Sequence, residues 1–178
     1  MKKLLLTLVV AGMCFGMVGC STKSSLEGLS PTMKVAQTAK FESGEVTDKS
    51  GFVFGEKDDK IVLTDAMKSS LTAALATEDL AGNDYVIKTT ILQYSPGNAF
   101  ARWMLPGAGA TKLVTESEIY TPEGVLVAKI PVNRSIAAGG GYTIGAWKTV
   151  FDDVAQEIVK VLKEQLLGIK KAKASVTE

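Results

Sequence analysis

Two hydrophobic periods alternate along the chain. Met33 to Ser43 carries apolar residues at nearly every second position (Val35, Ala39, Phe41), which predicts a first strand. Phe52-Val53-Phe54 predicts a short extension of the same sheet. The period then changes: Leu63, Met67, Leu71, Ala74 and Leu75 fall on one stripe of a helix, with Thr64 as the expected N-cap and Asp65 in its first turn. Ala81-Gly82-Asn83-Asp84 ends that unit, and the β-branched run from Tyr85 to Tyr94 predicts the next strand. Thr111 to Tyr120 and Val125 to Val132 are two more, joined through Thr121-Pro122-Glu123-Gly124 as a hairpin turn. Lys112, Glu116 and Glu118 share a face expected to meet water. From Trp147 the helical period returns with Phe151, Ala155, Ile158, Leu162 and Leu166 on one line, and Gly168 suits the C′ position. The expected fold class is α+β: an antiparallel sheet of about four to five strands with two main helices packed on one face.

Between the strands, Tyr94 to Lys112 is too apolar for an ordinary solvated loop. Pro96-Gly97 and Pro106-Gly107 bound it as turn dipeptides. Phe100, Trp103 and Met104 fall at the spacing of one helical face, which predicts a short helical crossover lying on the sheet. Asn98, Phe100, Arg102, Trp103, Gly107 and Gly109 are the candidate interaction surface. Trp103 is expected to be buried, with Asn98 and the Gly107–Gly109 turn near the surface. Arg102 is one of two arginines in the chain and could hold a carboxylate or lipid phosphate, or tie the crossover to the sheet through backbone carbonyls.

The start of the chain has a different pattern. After Met1-Lys2-Lys3, Leu4 to Met17 is an apolar run of 14 residues, shorter than the roughly 20 needed to span a bilayer. It reads as the h-region of a signal peptide over residues 1–19. Met17-Val18-Gly19-Cys20 resembles the bacterial lipobox. That resemblance implies that Cys20 carries a diacylglyceryl thioether and, once cleavage frees its amine, an acyl chain such as palmitate. The other possible outcome is an ordinary leader that leaves Cys20 a free thiol. Ser21, where retained lipoproteins tend to have Asp, implies the periplasmic face of the outer membrane. Residues 20–32 are then the lipidated cysteine and a flexible tether, with a mean span of roughly 20 Å. A single domain occupies 33–168, and 169–178 is a frayed basic tail.

Composition narrows the chemistry. The chain has 20 basic and 19 acidic residues, and two of the lysines belong to the leader, so the balance gives no support for nucleic-acid binding. It has no histidine, which removes the usual general base and the commonest metal ligand. Both cysteines lie in the first twenty residues, so no disulfide or cysteine metal centre is expected in the domain. Gly107-Ala108-Gly109 and Gly139-Gly140-Gly141 match neither phosphate-binding loop pattern. Asp58-Asp59, Glu78-Asp79 and Asp152-Asp153 fall at turns or helix starts, where carboxylates are favoured without any catalytic role. No catalytic residue, metal or cofactor is assigned.

Gly97-Asn98, Arg102, Gly107-Ala108-Gly109, the strand pair after them, the glycine run and the last helix together resemble the bacterial lipoprotein family known as domain of unknown function 4410. The resemblance covers Ile91 to Leu166 and implies an α+β domain on a lipid anchor. The expected function is a non-catalytic interaction or accessory role in the cell envelope, with the membrane and an envelope protein as partners. A lipid or small-ligand carrier is the second reading, marked by a large apolar cavity under the sheet. A histidine-free envelope hydrolase is the third.

Overall fold

The computed structural model describes residues 21–29, 34–54, 61–104, 108–137 and 145–169. The leader, Cys20, Asp58-Asp59, Gly107, the glycine run and residues 170–178 lie outside them, as do the side chains of Arg102 and Trp103. The strands are β1 (Ser21–Ser24), β2 (Phe41–Asp48), β3 (Tyr85–Ser95), β4 (Thr111–Tyr120) and β5 (Leu126–Ile136). The helices are α1 (Leu63–Thr77), the short α2 (Ala99–Met104) and α3 (Ala146–Val161), which runs on into a π-helical turn over Leu162–Leu166.

The sheet order is β1-β5-β4-β3-β2. The fold is the expected α+β arrangement of five strands and two main helices, and the sheet is mostly antiparallel: three pairs are antiparallel, while β2 and β3 run parallel. A parallel pair needs a crossover of a dozen or more residues, and α1 supplies it as the middle of a β-α-β unit. Both main helices lie on one face: α1 packs on β2 and α3, and α3 packs on β4 and β5. Leu63, Met67, Leu71 and Leu75 are the buried line of α1, as the stripe requires. Thr64 is not the cap, since α1 begins one residue earlier with Val62 at its N-cap and no side-chain hydrogen bond there.

Along β4 burial alternates residue by residue, with Thr111, Leu113, Thr115, Ser117 and Ile119 under the helices. The opposite face carries Lys112, Glu116 and Glu118, half-buried where full solvation was expected. There the Lys129 ammonium bridges Glu116, at 3.3 Å, and Glu118. Bonds from Lys129 and from the Tyr120 hydroxyl hold the Glu118 carboxyl below its ordinary range.

Three other expectations change. Met33 to Ser43 is not the first strand: β1 precedes it, and within this segment β2 begins only at Phe41. Phe52-Val53-Phe54 does not extend the sheet, and Phe52 and Phe54 instead turn inward onto Tyr94 at 5.0 and 6.2 Å between ring centroids. Ser21–Ser24, read above as tether, forms edge strand β1 on β5, with Ser21 opposite Ser135 and Ser24 opposite Val132. Main-chain pairing does not need apolar side chains, and hydroxyls add to it. Thr22 Oγ1 accepts from Arg134 at 2.8 Å, and Ser24 Oγ donates to Glu157 at 2.6 Å. The pairing continues past β1, where Glu27 and Lys129 exchange both main-chain bonds at 2.8 and 2.9 Å.

Candidate functional site

Strand directions gather distant segments at one end of the sheet. β1 starts there, β2, β3 and β5 finish there, and β4 starts there. The connections 49–62, 96–110 and 137–145 therefore emerge together, beside Ser21. The 96–110 connection joins neighbouring antiparallel strands, with Ser95 opposite Lys112, so it is an elaborated hairpin and not the crossover expected from sequence.

Its base is closed by polar bonds. Asn98 N donates to the Gly109 carbonyl at 2.8 Å, and Thr111 Oγ1 donates to the Pro96 carbonyl at 2.7 Å. Asn98 Oδ1 accepts from Ala101 N at 3.0 Å, the bond an N-cap makes to the third residue beyond it. Gly109 is required on two counts. Its φ is +62°, and a Cβ there would lie 2.6 Å from the Asn98 carbonyl oxygen and 2.8 Å from Ala101 Cβ.

Of the candidate residues, the hairpin brings Asn98, Phe100 and Gly109 together; Asn98 is exposed and Gly109 half-buried. Phe100 is 68% exposed and Met104 57%, so these two members of the face predicted for α2 are not packed on the sheet, while the Trp103 side chain lies outside the described residues. Val53 (84%) and Val62 (60%) are exposed in the neighbouring connection. Neither was singled out from sequence. The signal for Val53 was present in Phe52-Val53-Phe54, because alternation that turns two phenyl rings inward turns the middle residue outward.

The core at this end holds an aromatic cluster of Phe52, Phe54, Tyr94, Trp147 and Phe151. The Tyr94 and Phe151 rings are 5.5 Å apart, and those of Phe52 and Phe54 meet edge to face at 4.9 Å. Tyr94 donates its hydroxyl to the Trp147 carbonyl at 2.9 Å, and burial pushes its pKa up to about 12. Lys148 holds its ammonium 4.5 Å from the centroid of the Trp147 ring.

A depression lies elsewhere, along α3 between α1 and β1, with a volume of about 750 Å³. It is open and its charges are tied to one another. Arg134 donates from Nε and Nη2 to Asp153 Oδ2 at 2.9 and 2.7 Å. Ser70 donates to Asp152 at 2.6 Å, Lys160 to Glu157 at 3.1 Å, and Lys163 pairs with Glu78. Burial raises the Glu157 carboxyl, but bonds from Ser24 and Lys160 outweigh it and hold the group below its ordinary range. Arg134, not singled out from the sequence, is the strap that binds β1, β5 and α3. Asp152 and Asp153, considered above as a carboxylate pair, bond in separate directions. A second depression, of about 240 Å³ near Leu92, Val114 and Pro131, is also open. Neither is the enclosed apolar cavity that a carrier would need.

Among the described residues no group of three or more His, Cys, Asp or Glu is placed to hold a metal. No described helix is long and apolar enough to cross a membrane.

No curated protein matches the chain. Solved structures similar to it include the PelC dodecamer from Paraburkholderia phytofirmans, 13% identical over 83% of this chain and 98% of that one, with a TM-score of 0.48. A Xanthomonas campestris protein of family model DUF330 is 13% identical over 79% of this chain and 91% of that one, with a TM-score of 0.46. A candidate lipoprotein from Caulobacter crescentus is 14% identical over 74% and 89%, with a TM-score of 0.37. Residues 54–140 match the family model described as Domain of unknown function (DUF4410). That span begins earlier than the sequence motifs suggested and stops short of α3. DUF4410 is the family that this chain resembles, on the strength of the segment from Phe54 through β5.

Proposed function

We propose that the chain is a lipoprotein of the outer membrane, anchored at its periplasmic face through Cys20, with a non-catalytic accessory role alongside an envelope protein. One observation carries the reading. The sheet begins at Ser21, the residue after Cys20, so a lipid on that cysteine holds the domain directly under the bilayer with no free tether between them. Two acyl chains suffice for stable anchoring, at about 0.8 kcal/mol per buried methylene. The non-catalytic part draws support from the depression along α3, where Arg134, Lys160 and Lys163 are each engaged with a carboxylate of the same domain. Ionisable groups locked in this way hold elements together and are poorly placed to transfer protons. Metabolic palmitate labelling with membrane fractionation tests the anchor. Wild-type protein is expected in the labelled outer-membrane fraction, and Cys20→Ala is expected to be unlabelled and either uncleaved or soluble. Wild-type protein that is soluble and unlabelled overturns the reading.

A further inference from the structure

We infer that the sheet end bearing Val53, Val62, Phe100 and Met104 is a membrane-contacting surface, which seats these side chains in the headgroup–acyl boundary of a phospholipid bilayer. The inference rests on the Cys20 anchor proposed above and adds to it a second, non-covalent contact.

Three observations favour this occupant. The four side chains come from two separate connections, 49–62 and 96–110, yet emerge at the same end of the sheet and are 57–84% exposed. Val53 is not a core residue left without space, because Phe52 and Phe54 on either side of it turn into the aromatic cluster while it turns out. The anchor fixes which end faces the lipid, since β1 starts at Ser21 at this end.

The opposite end also exposes apolar side chains, Leu29, Val125 and Leu126, but these are only 38–52% exposed. A strand of ten or eleven residues separates the ends by roughly 35 Å, so a lipid on Cys20 cannot bring both to one bilayer. Among the described residues, exposed charge at the anchored end is of both signs, Lys49 and Lys148 with Asp48 and Asp65, so the contact needs no anionic lipid. Trp147, half-buried with an ammonium over its ring, is the type of side chain that membrane interfaces favour.

The chain's two tryptophans, Trp103 and Trp147, belong to this end and serve as native probes. Full-length lipidated protein is placed in phosphatidylcholine vesicles with and without brominated acyl chains, and tryptophan emission is compared. Emission is expected to fall in the brominated vesicles. The Phe100→Ser/Met104→Ser double variant is expected to stay palmitate-labelled and vesicle-bound while regaining most of the lost emission. Labelled wild-type protein whose emission is unchanged by bromine overturns the inference and leaves the anchor standing. If such protein also runs as an oligomer, the patch belongs to a second copy. Quenching that the double variant does not relieve overturns the inference as well. Wild-type protein without palmitate overturns the anchor, and the inference with it.

Discussion

At one end of the sheet, Phe52, Phe54, Tyr94, Trp147 and Phe151 close the core with aromatic rings, and the 96–110 connection at that end is long and apolar in sequence. At the other end the closing groups are charged. Lys40 pairs with Asp79 at 3.1 Å, Lys163 pairs with Glu78, and Asp84 accepts from Lys40 N at 2.9 Å, around the turns 78–84 and 121–125. An end that faces water can be sealed by solvated ion pairs, each contributing little. An end closed by rings stores its stability in burial and presents apolar side chains outward. The difference is the one that the proposed membrane contact at the ring-closed end calls for.

The comparison can be broken most sharply at Phe151, fully buried at the junction of α3 and the aromatic cluster. Phe151→Ala is expected to cost about 3–5 kcal/mol, read by denaturant unfolding. A loss as small as that of an ion-pair deletion would mean the rings do not carry this end. Gly109→Ala comes next, at about 1–3 kcal/mol, because the added methyl meets Asn98 and Ala101 in a left-handed backbone conformation. An unchanged thermal midpoint would show that the hairpin yields without cost.

Tyr94 gives a pH test of the same end. Its pKa is raised from 10.0 to about 12, so its contribution is complete below pH 10 and is lost as the pH climbs toward 12. Tyr94→Phe should cost about 1 kcal/mol at neutral pH, the worth of one hydrogen bond, and should flatten that part of the alkaline loss. The smallest effect belongs to the charged end. Lys163→Ala should change stability by about 0.5 kcal/mol, and the difference should shrink in roughly 1 M salt. A larger, salt-insensitive loss would contradict the view of this end as solvated.

What the sequence made legible follows from what periodicity encodes. β4 was bounded correctly at Thr111 and Tyr120 because its alternation is unbroken, and α1 was found because Leu63, Met67, Leu71 and Leu75 repeat at helical spacing. Strand direction is not written in alternation, so the parallel pairing of β2 and β3 was missed. The helix between them was the available clue, since a strand-helix-strand order favours a parallel pair. β1 was missed for a different reason: Ser-Thr-Lys-Ser carries no hydrophobic pattern, and its strand depends on β5, Arg134 and Glu157, all more than a hundred residues away. At the candidate site, spacing correctly put Phe100 and Met104 on one helical face. Spacing does not say which way such a face turns, and Phe100 and Met104 are exposed.

β1 also determines how the domain bears load. Hydrogen bonds between antiparallel strands lie across the strand axis, so a pull on the backbone at Ser21 along β1 shears its four register pairs together, and the Glu27–Lys129 exchange resists behind them. Peeling the same strand away from the sheet would break those contacts one at a time. The hydroxyl ties from Thr22 to Arg134 and from Ser24 to Glu157 pass part of the strain into α3. The lipid anchor proposed at Cys20 would therefore pull along the direction in which these contacts are strongest.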